Sequence, residues 1–115
     1  MRSSLRAWQW SDYAAKHRDR VNLLLHIVVV PVFQVGTLVL LYGALRGRVG
    51  VAALGVVAML ASVVVQGRGH RRERETPTPF TGADDFVTRL LVEQWVTFPR
   101  FVLSGGWCQN LRHSL

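Results

Sequence analysis

The 115-residue chain has little cysteine and little negative charge. Its single cysteine, Cys108, excludes an internal disulfide framework and any zinc site built from several thiolates, so we expect this thiol to be inert. Seven acidic residues against fourteen lysines and arginines leave a net charge of +7. The basic residues lie at the edges of long apolar runs and are not interleaved with aromatic residues, as a nucleic-acid-binding surface would require. The composition therefore argues against nucleic acid as a partner.

Charge is also missing from two long apolar stretches, residues 21–45 and 49–67. At ~1.5 Å per residue, each is long enough to cross a hydrocarbon core of ~30 Å, and only Arg46–Arg48 separates them. A buried core hairpin in a soluble bundle is disfavoured, because neither run offers a polar face to water. The sequence predicts an all-α integral membrane protein whose single domain, residues 1–115, is built on a transmembrane helical hairpin.

The flanking segments are polar enough to stay at the membrane surface. Residues 1–20 contain tryptophan and tyrosine, which suit the headgroup zone, and predict an interfacial helix. Residues 68–84 predict a polar loop broken by two prolines. Residues 85–107 are apolar but charged at every turn, which favours an interfacial or re-entrant helix over a third span. Within this last segment, Arg89 and Glu93 are spaced to pair on one helix face.

The distribution of arginine and lysine predicts the orientation of the hairpin. The connecting loop has only two basic residues, so both termini are expected on the cytoplasmic side and the loop outside. The excess of arginine over lysine favours a bacterial source, which would make the membrane the bacterial cytoplasmic membrane. The basic residues outside the two runs are Arg2, Arg6, Lys16, Arg18 and Arg20 before the first, and Arg68, Arg71, Arg72 and Arg74 after the second.

Polar side chains gather at the cytoplasmic mouth of the predicted hairpin. Tyr13 and His17 are four residues apart, as are Asn22 and His26, so each pair shares one helix face. Antiparallel helices ~8–10 Å apart would bring the histidine of the first run close to the polar end of the second run. That end places three residues on one face at i, i+4 and i+7 spacing: Gln66, His70 and Glu73.

His17 can join the other two histidines only if the chain turns. It precedes His26 by nine residues, which puts the two on opposite sides of an unbroken helix. The sequence therefore predicts a break near "RDR", residues 18–20.

Three histidines and a carboxylate that converge would make a metal site. We expect His17, His26 and His70 as ligands, with Glu73 as a fourth ligand or as a nearby base. Neutral imidazole suits zinc, iron, copper and nickel, and a carboxylate without a thiolate favours zinc or non-haem iron(II). Neighbouring polar groups would hold the imidazole rings in one tautomer: Tyr13, Asn22 and Gln66.

A plainer interpretation stands beside the metal site. Each histidine could cap a helix or lie at the membrane interface, and "GHRRERE" could be a solvated charge run that anchors the second helix. His113 lies in a polar tail and is not expected to take part in a site.

The same residues resemble a known family. The segments "YAAKHRDRVNLLLHIVVVP" and "QGRGHRRERETP" are similar to the small membrane family typified by the yeast 2-hydroxy fatty acid dioxygenase of phytosphingosine breakdown. The family usually has Asn-Pro where Asp19-Arg20 stands here. The resemblance spans roughly residues 13–80, and the matching positions are Tyr13, His17, Asn22, His26, Pro31, Gln66, Gly69, His70, Glu73 and Pro77.

The resemblance implies an iron(II)-dependent dioxygenase of α-oxidation. Such an enzyme converts a 2-hydroxy fatty acid and dioxygen to a fatty acid one carbon shorter and carbon dioxide. The acyl chain would lie in the bilayer, and Arg18, Arg71 or Arg72 could pair with the carboxylate. Two alternatives remain at this point: a non-catalytic membrane scaffold, and a zinc-dependent lipid hydrolase with Glu73 as general base. The oligomeric state does not follow from the sequence.

Overall fold

The computed structural model describes residues 4–114, so Arg2 of the basic N-terminal group lies outside the described residues. Over this range the chain is helical and contains no strand, which confirms the all-α prediction. The helices are α1 (Leu5–Ser11), a 3₁₀ turn (Ala14–Lys16), α2 (Arg20–Leu45), α3 (Val49–His70), α4 (Ala83–Val92), a π-turn (Glu93–Thr97), α5 (Phe98–Leu103) and α6 (Gly106–His113).

Helices α2 and α3 form the predicted hairpin, and both are long and apolar enough to cross a membrane. Their connection is tight because Gly47 adopts a positive φ of 65°, which costs glycine little. The two backbones touch through glycines. A Cβ on Gly36 would lie 2.9 Å from the carbonyl oxygen of Gly55, and a Cβ on Gly55 would lie 2.5 Å from the Leu40 nitrogen. Close approach of this kind is typical of helix pairs in lipid.

The outer faces of the hairpin are apolar and uncovered. Val35 and Leu38 of α2 and Leu54 and Val57 of α3 are each more than half exposed. The buried apolar core lies instead at the end where the short helices pack against the start of α2. It consists of Tyr13, Leu23, Val30, Phe98 and Phe101.

The observed boundaries differ from the predicted ones mainly at the polar end. Helix α3 continues three residues past the predicted 67, so His70 lies in its last turn and the loop begins at residue 71. The predicted helix over 85–107 is divided into α4, the π-turn and α5. A further helix, α6, occupies the segment predicted as a polar tail. The chain is broken as predicted near "RDR", because residues 17–19 are not helical and α2 begins at Arg20.

Candidate metal centre

The break before α2 is held by Glu73. Its carboxylate accepts hydrogen bonds from the main-chain N–H groups of Arg18 (2.8 Å) and Asp19 (3.1 Å) and from the side-chain amide of Asn22 (2.6 Å). The Asp19 side chain caps α2 by accepting from the Asn22 N–H at 3.0 Å. The buried carboxylate of Glu73, which follows the end of α3, therefore binds the main-chain N–H groups of this turn, which contains no proline and would otherwise leave them unpaired.

This turn brings His17 to the other two histidines. The ring centroids of His17 and His26 are 5.1 Å apart, and each lies 4.8 Å from the ring of His70. The rings are nearly perpendicular, with interplanar angles of 80–88°. The convergence of three imidazoles predicted from the sequence is thus present in the structure.

The carboxylate that joins them is Glu93, at the start of the π-turn. One ligand atom from each of His17, His26, His70 and Glu93 lies within 4.8 Å of all the others. Glu93 Oε2 is 3.5 Å from His17 Nε2 and 3.9 Å from His26 Nε2. Glu73, which we expected in this position, instead closes the turn before α2. Its side chain faces that turn because the chain bends immediately after His70.

The histidine tautomers follow from the backbone. His17 Nδ1 lies 2.7 Å from the carbonyl oxygen of Tyr13, and His26 Nδ1 lies 3.0 Å from that of Asn22. A carbonyl can only accept, so both Nδ1 atoms carry a proton, and in the neutral rings both Nε2 atoms therefore keep a lone pair. Those Nε2 atoms, together with Nδ1 of His70, are buried without a hydrogen-bond partner.

Unpartnered buried nitrogens of this kind fit a metal ion. A buried polar atom without a partner is costly, and here three such atoms from three histidines face a carboxylate. Neutral imidazole with one carboxylate and no thiolate is a donor set suited to iron(II) or zinc. The residues present therefore fit the cofactor that the sequence predicted.

Tyr13 fixes Glu93 in this cluster. Its hydroxyl donates to Glu93 Oε2 at 2.8 Å, and its ring stacks on His17 with centroids 3.8 Å apart. Burial, followed by the charge and hydrogen bond of Glu93, raises the pKa of the Tyr13 phenol well above 10.0. Burial opposes ionisation of Glu93, but the neighbouring histidines, His17 foremost, lower its pKa to about 2 when their rings are protonated. Tyr13 is thus a neutral phenol that donates a hydrogen bond to the ionised carboxylate of Glu93.

The other predicted outer partners take different roles. Asn22 orients His26 through its main-chain carbonyl, whereas its side chain binds Glu73. Gln66 contacts no histidine through a hydrogen bond; it exchanges two hydrogen bonds of 2.8 Å with the buried Gln94. Gln94 was not predicted, since an amide within a charged apolar segment gives no signal that it is buried.

Helices α5 and α6 pack against one side of the centre. The Asn110 side chain donates to the carbonyl oxygens of Ala14 (2.9 Å) and His17 (2.8 Å), which holds the break in place. Trp107 donates to the Leu23 carbonyl at 2.9 Å. The rings of Phe98 and Phe101 lie 5.8 Å from His26 and 6.0 Å from His17, respectively. This apolar cover limits access of water to the cluster.

A cavity of about 320 Å³ opens beside the cluster, and its wall includes His17, His70 and Glu93. The rest of the wall is largely apolar and aromatic, with Val63 and Gly67 contributed by α3. Arg89 closes the far side: it donates to the carbonyl oxygens of Thr78 and Pro79 and stacks 4.1 Å from the Phe80 ring. The apolar wall consists of Trp8, Val63, Pro77, Phe80, Phe86 and Leu90.

The three arginines considered for the substrate carboxylate are separated by the structure. Arg71 lines the cavity. Arg72 is bound to Asp19 at 2.9 Å, and Arg18 contributes its main-chain N–H to Glu73. Lys16, which we did not consider, lines the same cavity and binds Asp12 at 2.9 Å.

Comparison with known proteins places these residues in a family. The family described as 2-hydroxy-palmitic acid dioxygenase Mpo1-like matches residues 4–102, a range that includes all four residues of the cluster. No curated protein and no solved structure matches the chain. A match over most of the sequence is sufficient for assignment: the chain belongs to the 2-hydroxy-palmitic acid dioxygenase Mpo1-like family.

Proposed function

We propose that this protein is a membrane-embedded, iron(II)-dependent dioxygenase that shortens 2-hydroxy fatty acids by one carbon. The observation that carries the proposal is the cluster of His17, His26, His70 and Glu93, with lone pairs on buried nitrogens and an apolar cavity beside it. A 2-hydroxy acid and dioxygen would give the shorter acid and carbon dioxide, and atom balance makes water the third product. A bound iron(II) ion would supply the redox chemistry with dioxygen.

The protein residues prepare the cluster for that chemistry. The main-chain carbonyls of Tyr13 and Asn22 keep the Nδ1 protons in place, so that both Nε2 atoms are available as ligands. The Tyr13 hydroxyl occupies one side of the Glu93 carboxylate, which restricts its rotation. The phenylalanines of α5 exclude water from the reacting atoms. Each of these contacts reduces the rearrangement that the site must undergo during the reaction.

The cavity suits an amphipathic acid. Its aromatic wall favours an alkyl chain, and Arg71 supplies positive charge for a carboxylate, whereas Lys16 is paired with Asp12 of the same wall. Two of its wall residues, Val63 and Gly67, belong to a helix long and apolar enough to span a membrane, so the substrate could enter from the lipid phase. The exposed apolar faces of α2 and α3 support the membrane location, and the basic residues at the site end support cytoplasmic termini.

The test combines metal analysis with oxygen consumption. Protein purified in detergent and loaded anaerobically with Fe²⁺ should hold one iron per chain and consume oxygen when 2-hydroxypalmitic acid is added. Replacing His17, His26 or His70 by alanine should remove most of the iron and all of the turnover, because each supplies a ligand nitrogen. His113→Ala is the matched control, since His113 is exposed at the end of α6 and is not a member of the cluster.

Unchanged iron content in all three alanine variants would refute the proposal. Turnover that releases product without consuming oxygen would point to the zinc-dependent hydrolase. That alternative required Glu73 as a free general base, whereas its carboxylate is buried and bound to three donors.

A further inference from the structure

The π-turn at Glu93–Thr97 leaves one main-chain carbonyl without a helical donor. The Phe98 N–H bonds to the carbonyl oxygen of Glu93, five residues back. Pro99, the next residue, has no N–H to give. The main-chain carbonyl of Gln94 is therefore left without the donor that an α-helix or a π-helix would provide. Wide turns of this kind are rare in proteins, and those that occur are often found at functional sites.

Gln34 of α2 supplies the missing donor. Its side-chain amide donates to the main-chain oxygen of Gln94 at 2.8 Å. Gln34 is an amide within the uncharged run of α2, and it is neither a member of the histidine cluster nor part of the cavity wall. Gln94 is completely buried, so its carbonyl needs a donor from within the protein.

The side chain of Gln94 is held as firmly as its backbone. The Gln66 side chain on α3 donates to Oε1 of Gln94 and accepts from Nε2 of Gln94, both at 2.8 Å. Gln66 also donates to the Ser62 hydroxyl at 3.0 Å. Gln94 and Ser62 are buried almost completely. The two long helices thus fix both the main chain and the side chain of one residue, and the preceding residue, Glu93, faces the three histidines.

We propose that Gln34 is a positioning residue for the metal centre: by binding the Gln94 carbonyl, it holds the π-turn in the register that presents Glu93 to the histidines. The inference rests on the proposed function, because it takes Glu93 as a ligand. The proposal predicts that Gln34 affects metal binding only through Glu93. Gln34 lies on α2 and Glu93 in the π-turn, and within the described residues the Gln34 side chain has no hydrogen bond to a predicted ligand.

Metal affinity of the apo-protein tests this without reference to turnover. Purified protein in detergent micelles is titrated with Co²⁺, and binding is followed by the visible absorption of the ion in Gln34→Leu, Glu93→Gln and the double variant. Each single change should weaken Co²⁺ binding by about tenfold. The double variant should bind no more weakly than Glu93→Gln alone, because the two changes remove the same ligand.

Thr37→Val is the matched control. Thr37 lies one turn further along α2, and its hydroxyl donates only within that helix, to the Phe33 carbonyl. Its Co²⁺ affinity should equal that of the unchanged protein. Unchanged affinity in Gln34→Leu, or additive losses in the double variant, would overturn the inference and leave the proposed function standing. Unchanged affinity in Glu93→Gln would overturn the ligand set itself.

A stability measurement probes the hydrogen bond separately. Pro99→Ala restores an N–H that can bind the Gln94 carbonyl in the π register, and in the α register the Phe98 N–H binds that carbonyl, so Gln34 is then no longer needed as a donor. The decrease in melting temperature caused by Gln34→Leu should therefore be smaller in the Pro99→Ala background than in the unchanged chain. An equal decrease in both backgrounds would contradict the proposed role of Gln34.

Discussion

The two halves of the helical hairpin are stabilised in different ways. Between Pro31 and Ala61, α2 and α3 contact each other through glycine backbones and expose large apolar side chains. Beyond that, toward His26 and His70, the buried side chains are mostly polar and bound in specific directions. The first half depends on close approach of two helices, whereas the second depends on completed hydrogen bonds. Changes at the glycine contacts should alter stability alone. Changes to the hydrogen-bonded polar side chains, with Gln34 the one such residue that we assign to this role in the first half, should alter stability and metal binding together.

The largest effect is expected from Glu73→Ala at the polar end. The change leaves two main-chain N–H groups and the Asn22 amide without an acceptor, and hydrogen bonds to a charged group contribute about 1.5–3 kcal/mol each. We expect a loss of at least about 4 kcal/mol in the free energy of unfolding, because three such bonds are lost, measured by denaturation in micelles. Iron content should fall as well, because His17 follows the turn that Glu73 holds.

Glu75→Ala provides the control for that prediction. Glu75 is exposed and lies in the same loop, and surface changes of this kind alter stability by less than about 0.5 kcal/mol. A Glu73→Ala protein that unfolds like the control would show that another contact holds the break before α2.

A smaller effect is expected from Gly55→Ala in the glycine-packed half. The new methyl group would lie 2.5 Å from the Gly36 oxygen and from the Leu40 nitrogen, so the helices must move apart. Overpacking typically costs about 1–3 kcal/mol. The free energy of unfolding should fall by about 2 kcal/mol, while the iron content per folded chain stays the same. Gly67→Ala is the matched control, because nothing lies within 4 Å of its added Cβ.

Loss of iron in folded Gly55→Ala protein would contradict the comparison, because it would couple the two halves of the hairpin. Equal stability of the Gly55 and Gly67 variants would show that the helix contact tolerates a methyl group.

The smallest effect is expected from Arg71→Ala at the mouth of the cavity. Arg71 is exposed and lines the cavity, and exposed ion pairs contribute about 0.2–1 kcal/mol. The KM for 2-hydroxypalmitic acid should rise several-fold, with kcat and iron content unchanged. Arg74→Ala, also exposed but outside the cavity wall, should leave KM unchanged. Equal KM values in the two variants would remove Arg71 from substrate binding.

Local pattern was sufficient for much of the hairpin and for part of the site. Two uncharged runs around a three-residue link allow little besides paired helices, and α2 begins within one residue of its predicted start. The histidines could be found because spacing along a helix determines which side chains share a face. The break near "RDR" was predicted from the same geometry. The carboxylate that holds it, Glu73, was expected instead as a metal ligand or a nearby base.

Spacing failed in the segment after the hairpin. Arg89 and Glu93 are four residues apart, which predicted a pair, but Arg89 binds Asp85 at 3.4 Å and Glu93 joins the histidines. Pro99 was the available signal, because a proline removes a donor from the helix and changes its register. The sequence did not show which register results, since that depends on Gln34 and Gln66, 60 and 28 residues distant from Gln94.

The sequence alone thus determined the all-α class, the hairpin and the three histidines, because these depend on hydropathy and on residue spacing within single helices. Only the tertiary structure decided that the carboxylate is Glu93, that Glu73 closes a turn, and that α6 holds the main chain at His17. Those features depend on contacts between residues far apart in the chain. Such contacts are selected by which buried donors and acceptors complete one another, and no local pattern records that choice.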